Sequence, residues 1–217
     1  MEIATLHKLL GKFFIKALLL GMVPAYQPFY TNTNLLFEQT LIGTFGPERP
    51  SEPVVSSAER ETLSISRSKS DPHLYTLVLS GAEDTIEFEA RLFQLHTVRG
   101  KSAYFLDLSP RRANKRKFVA LMRHLVVNID WNSDRLTFRW ASEDRIRTAA
   151  AATSSKFENL PDENCVKEMD EVLYTAGDRC TRVLTAPTKA LQIVLHKILR
   201  VGLSESVSLY RIPLKVP

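Results

Sequence analysis

The chain reads as a mainly β, α+β protein: an antiparallel barrel or curled sheet with two or three helices in its C-terminal half and one helix at its N-terminus. Three observations predict this. Apolar and polar residues alternate with a period of two through most of the stretch between Thr62 and Trp140. Short turn sequences such as Ser80-Gly81-Ala82-Glu83-Asp84 and Asn132-Ser133-Asp134 break that stretch into strand-sized pieces. Helical periodicity is found at the start of the chain and late in it.

Residues 1–25 form an apolar segment with a basic edge. Lys8, Lys12 and Lys16 recur every four residues among Leu9, Leu10, Phe13, Phe14, Ile15 and Leu18 to Leu20. A helix would gather the lysines into one cationic stripe. Three readings compete with simple packing on the domain. A secretory signal would be cut after Ala25. A transmembrane helix is long enough, but a central lysine costs about 2.5–3.5 kcal/mol. An interfacial helix would lie in the headgroup region, with Lys8, Lys12, Phe13, Phe14, Lys16 and Leu18 as its membrane contacts.

Residues 26–40 read as an extended linker, since Pro24 and Pro28 bar a helix there. Asn34 can cap a short turn through Glu38. The β-rich domain follows, from 41 to 217. Its first strand is Leu41 to Gly46, and Pro47 to Ser57 is a loop. Leu63 and Ile65 mark the next strand, and Tyr75, Leu77 and Leu79 another. Ile86, Phe88, Ala90 and Leu92 then alternate with Glu87, Glu89 and Arg91. Ala103 to Leu108 forms a further strand, and Leu125–Trp131 pairs with Leu136–Trp140 as the clearest hairpin.

Ser142 can cap a helix through Ala149–Ala152, with Glu143 and Asp144 suiting the positive end of its dipole. Asp162 to Tyr174 is ambiguous between helix and strand, and Thr181 to Leu184 is a short strand. The best helix opens at Thr185-Ala186-Pro187-Thr188. Leu191, Val194, Leu195, Ile198 and Val201 form its apolar stripe, Lys197 and Arg200 occupy its last turns, and Gly202 suits its C-terminal cap. Ser206 to Ile212 closes as a strand. Eight or nine strands are expected in all.

Leu41-Ile42-Gly43-Thr44-Phe45 resembles the Gly-x-Trp opening strand of lipocalin-like barrels, with Phe45 where Trp is usual. Further blocks resemble a group of bacterial signal-bearing or lipoprotein-type envelope proteins. They are residues Pro24 to Thr31, Phe88 to Phe93, Tyr104 to Leu108 and Leu184 to Gln192. The resemblance implies a bacterial cell-envelope location, periplasmic and membrane-associated; the alternative is the cytoplasmic face of a membrane. Lipoproteins of that kind carry Leu-x-Gly-Cys, whereas here Leu19-Leu20-Gly21 precedes Met22. The cysteine needed for a thioether lipid anchor is therefore missing at that position.

Chain-wide chemistry narrows the classes. The 217 residues are 44% hydrophobic with net charge +5. That charge is concentrated in Arg111, Arg112, Lys115, Arg116 and Lys117, a run without acids. The run suits docking to anionic headgroups or an acidic partner. It has no interleaved aromatics on which bases stack, which disfavours nucleic acid. Cys165 and Cys180 can form one disulfide in an oxidising compartment. The five histidines are scattered singly, so no metal site or other cofactor is expected. No Gly-rich phosphate loop or nucleophile elbow is present, and no catalytic residue is assigned.

Asp107, between Leu106 and Leu108, is either an outward-facing acid or a buried and paired one. Phe45, Tyr75, Phe88, Phe105, Phe138 and Trp140 are expected to face one interior. They form either its core or the wall of a small apolar-ligand cup. The resulting expectation is a non-enzymatic envelope accessory protein that docks on a membrane surface or membrane-protein complex; a carrier of a small apolar ligand is the alternative. An enzyme would need a cleft that brings Asp107 and a histidine together.

Overall fold

The computed structural model describes residues 23–25, 27–47, 61–81, 85–96, 100–113, 124–142, 145–146, 148–149, 156–159, 182–185, 187–203 and 205–213. Among the described residues there are twelve strands: β1 Val23–Ala25, β2 Leu35–Leu36, β3 Gly43–Gly46, β4 Thr62–Arg67, β5 Leu74–Ser80, β6 Thr85–His96, β7 Ser102–Ala113, β8 His124–Trp131, β9 Arg135–Trp140, β10 Lys156–Asn159, β11 Arg182–Thr185 and β12 Glu205–Arg211. Helix α1 spans Thr188–Val201.

Strands β3 to β9 pair antiparallel in chain order; β12 pairs with both β9 and β3 and closes the ring. The result is an eight-stranded antiparallel barrel, which removes the exposed edges an open sheet would carry. The residues between β9 and β12, α1 among them, are inserted before the last barrel strand. A register shift between Glu87 and Phe88 bends β6 against β7.

The alternation read from the sequence sets the two faces. Phe88, Ala90 and Leu92 of β6, Leu106 and Leu108 of β7, and Leu125, Val127 and Ile129 of β8 point inward. They join Leu41, Phe45, Leu63, Tyr75, Leu136, Phe138 and Leu209, all almost fully buried. The described interior is a packed core.

A second core lies outside the barrel. Phe93, Phe105 and Val126 project outward from β6, β7 and β8, and the Phe93 and Phe105 rings stack with centroids 5.4 Å apart. Leu191, Val194, Leu195 and Ile198 of α1 cover them, together with Ala25, Phe29, Ile146 and Ala149. The first half of β8 pairs with β1 along the edge that its second half gives to β9. A small flap of β1, β11 and β10 therefore branches off the barrel.

Several expectations are corrected. The C-terminal half has one extended helix among the described residues, where two or three were expected. Where a helix from Ser142 was expected, Arg145, Ile146, Thr148 and Ala149 are helical, the Ile146 amide bonds the Ser142 carbonyl at 3.1 Å, and Ile146 and Ala149 are buried. The end of the N-terminal segment, Val23–Ala25, is a strand bonded to β8.

The 26–40 stretch packs onto the domain: Phe29 is fully buried, and Leu35–Leu36 pairs with Leu92–Phe93. Asn34 caps backward, its Oδ1 accepting from the Thr31 amide at 2.8 Å. Gln39–Leu41 is a 3-10 turn, so β3 begins only at Gly43. Strand β7 runs on through Ala113, which places Arg111 and Arg112 on a strand rather than in a loop. The Asp162–Tyr174 stretch, Cys165 and Cys180 lie outside the described residues.

Candidate functional site

Strand register brings one acid and one histidine together outside the barrel. Asp107 of β7 faces Arg91 of β6 across the ladder and Val126 of β8 on its other side. His124, two residues before Val126, shares that outer face. Its Nδ1 lies 2.8 Å from Asp107 Oδ1, and Asp107 Oδ2 accepts the Phe29 amide at 2.9 Å. A carboxylate oxygen accepts only, so Nδ1 is the donor of this bond.

The Asp107 side chain is 1% exposed and that of His124 is 17% exposed. Asp107 thus fits both sequence readings at once. Alternation turns it away from the barrel interior, and the outer layer buries it. Burying a carboxylate is costly unless donors meet it, and here two do.

The chain above the pair is a strap, residues 27–31, held from both sides. The Phe29 amide goes to Asp107, the Phe29 carbonyl accepts from Gln192 Nε2 at 3.0 Å, and the Pro28 carbonyl accepts from Thr188 Oγ1 at 2.9 Å. The first turns of α1 and the face of β7 therefore clamp one peptide of the strap. Beside it, Arg91 lies over the Tyr30 ring, 5.6 Å from its centroid, and donates to Asp71 Oδ2 at 2.6 Å. Burial pushes the Tyr30 hydroxyl up in pKa; Arg91 opposes that shift and Asp107 reinforces it. Hydrogen bonds from Arg91 and from the His73 amide hold the Asp71 carboxyl below its ordinary range.

At one end of the barrel a second polar constellation closes the core. Arg211 Nη1 donates to the Ile42 carbonyl at 2.8 Å, Nη2 to that of Thr40 and Nε to that of Ser133. The guanidinium lies 4.7 Å from the centroid of Phe45. Tyr75, facing inward, exchanges hydrogen bonds with the Glu38 backbone, and its ring stacks on Phe37 at 5.3 Å.

The site residues expected from sequence divide as follows. Phe45, Tyr75, Phe88, Phe138 and Trp140 share the interior, whereas Phe105 belongs to the outer core beneath α1. The reason is parity: Phe105 is one residue from the inward Leu106 and therefore faces the other way. Arg111 is exposed at the end of β7, 3.5 Å from Glu87 and 3.4 Å from Glu89. Arg112 faces Glu87 in the register. Lys115, Arg116 and Lys117 lie outside the described residues, as do Lys8, Lys12, Phe13, Phe14, Lys16 and Leu18.

Phe29, Arg91, His124, Gln192 and Arg211 were not singled out by sequence reasoning. Only Asp107, an acid within an apolar strand, signalled their neighbourhood. No described residues form a cluster of three or more acids, histidines or cysteines able to hold a metal ion. No described helix is long and apolar enough to cross a membrane. Comparison with models of protein families, with curated proteins and with solved structures finds no match to this chain.

Proposed function

We propose that this chain is a non-enzymatic accessory protein of the bacterial envelope whose N-terminal segment holds a lipocalin-like barrel against a membrane surface or a membrane-protein complex. The observation that carries this reading is the strap. Val23–Ala25 is bonded to β8, and Phe29 is clamped between Asp107 and α1. A basic, apolar segment that precedes such a clamp positions the barrel instead of trailing it on a loose tether. The outward face of α1 adds cations and apolar area close by: Lys189 and Arg200 are exposed, and Ile193 is 49% exposed.

The lipocalin-like label rests on the closed eight-strand antiparallel ring and on the Gly43-Thr44-Phe45 strand that opens it. The packed interior weighs against a carrier of apolar ligands, which needs an open cup.

The test is flotation of the full-length chain with vesicles containing anionic lipid, beside the K8E/K12E/K16E variant. The wild type is expected to float and the variant to stay in the dense fraction. If both remain in the dense fraction with vesicles and with native membranes, the reading fails.

A further inference from the structure

The hairpin tip between β4 and β5, Arg67-Ser68-Lys69-Ser70-Asp71-Pro72, lines a surface concavity of about 460 Å3. Its polar groups are unequal in charge. Arg67 and Lys69 form no ion pair among the described residues. The single acid, Asp71, already has both oxygens occupied: Oδ2 by Arg91 at 2.6 Å and Oδ1 by the His73 amide at 2.8 Å. Among the described residues the concavity therefore keeps two cations without an ion-pair partner.

Two hydroxyls complete the lining. Ser68 Oγ and Ser70 Oγ lie 3.0 Å apart, and the Ser70 amide donates to Ser68 Oγ at 3.3 Å. Arg67 is preorganised. Its guanidinium lies 4.5 Å from the centroid of Phe37, whose ring stacks on Tyr75. The nearby Glu38 carboxylate is turned toward Thr40, accepting from its amide at 3.1 Å and its hydroxyl at 2.7 Å. A planar guanidinium fork, an ammonium and a serine hydroxyl pair with one proton left to donate suit a tetrahedral oxyanion.

We propose that this hairpin is a binding site for a phosphomonoester, with Arg67 and Lys69 as charge partners and the Ser68 and Ser70 hydroxyl pair as donor. The phosphomonoester can belong to a lipid headgroup or to a soluble molecule. The site does not depend on the membrane role of residues 1–25.

The test titrates inorganic phosphate into the full-length protein and follows the backbone amide signals of residues 67–73, with chloride at matched ionic strength as control. Saturable shifts are expected. In R67Q/K69Q the affinity should fall at least about tenfold, or roughly 1.4 kcal/mol, without loss of the folded spectrum. S68A/S70A should weaken binding in the same direction. A second arm floats phosphatidylcholine vesicles with and without phosphatidic acid in the K8E/K12E/K16E background, which removes the N-terminal lysines. Flotation that requires phosphatidic acid and Arg67/Lys69 identifies a lipid headgroup. Phosphate binding without flotation identifies a soluble phosphomonoester; both outcomes uphold the site. Absence of saturable shifts, equal shifts with chloride, or unchanged affinity in R67Q/K69Q would overturn it.

Discussion

Asp107 Oδ1 lies 2.8 Å from His124 Nδ1 outside the barrel, and the other oxygen of the same carboxylate accepts the Phe29 amide at 2.9 Å. One buried acid thus joins two barrel strands to the chain that follows the N-terminal segment. A carboxylate-oriented histidine is also the arrangement a general base uses. Here the second carboxylate oxygen also holds the backbone of the strap, so the acid acts as a clamp between strap and barrel.

Removing that carboxylate should loosen the strap. Asp107→Ala leaves the Phe29 amide and the His124 ring without their acceptor and should cost about 2–3 kcal/mol. Equilibrium denaturation measures the loss, and hydrogen exchange at the Phe29 amide should accelerate in parallel. Unchanged exchange at Phe29 would mean that the carboxylate does not hold the strap.

Phe29 fills the space beneath α1 and is fully buried. Phe29→Ala should cost about 3–5 kcal/mol, the usual range for emptying an aromatic site. Combined with Asp107→Ala it should cost less than the sum of the two, because both changes release the same segment. Strict additivity in chemical denaturation would contradict a shared clamp.

Gly43 and Arg211 occupy adjoining space at the closed end of the barrel. Gly43 has φ +154, and a Cβ built there would overlap Arg211 Nη1. Gly43→Ala should therefore displace the guanidinium from its carbonyl partners. Arg211→Ala should cost about 2 kcal/mol from lost hydrogen bonds and the ring contact. Arg211→Lys should not restore it, since an ammonium lacks the planar fork. In thermal denaturation the Gly43→Ala/Arg211→Ala double variant should be less destabilised than the sum of the single ones; an additive pair would separate the two sites.

His196 on α1 supplies a pH dependence. Burial, and secondarily the charge of Arg200, hold its imidazole below the ordinary value. The unfolded chain therefore takes up this proton first as pH falls. The contribution is fully present above about pH 6.5, the unfolded value, and is lost as pH drops through the lower folded one. The slope should be shallow, because the ring is only partly buried. His196→Gln should flatten the stability profile below about pH 6.5; an identical profile in the variant would remove His196 as its source.

Tyr75 ties the 3-10 turn to the barrel through its hydroxyl, which accepts the Glu38 amide at 2.6 Å. Tyr75→Phe keeps the ring stack on Phe37 and leaves that amide without its acceptor. The expected loss is about 1–2 kcal/mol by urea denaturation, with the fold retained. A variant as stable as the wild type would show that water replaces the hydroxyl at no cost.

Much of the barrel was legible because strand alternation is local. The inward sets of β4, β5, β6 and β9 follow from the spacing of Leu63, Ile65, Tyr75, Leu77, Phe88, Ala90, Phe138 and their neighbours. Helix α1 was legible too. Its apolar stripe runs through Leu191, Val194, Leu195 and Ile198, and Gly202 with φ +94 donates its amide to the Ile198 carbonyl. The short strands β1 and β2 left no signal, since two or three residues carry no period. Their pairing depends on β8 and β6, remote in sequence.

The amino-acid sequence by itself determined a β-rich domain, most strand and turn positions, the inward faces of β4, β5, β6 and β9, and one capped amphipathic helix. Tertiary structure alone decided that β12 returns to β9 and β3 to close the ring, and that the outside of β6 to β8 is a second core. It also decided that Asp107 is buried. Alternation can assign a side chain to one face of a strand, but burial depends on what covers that face. Here the cover comes from Phe29, 78 residues away in sequence, and from a helix whose Gln192 is 163 residues beyond Phe29.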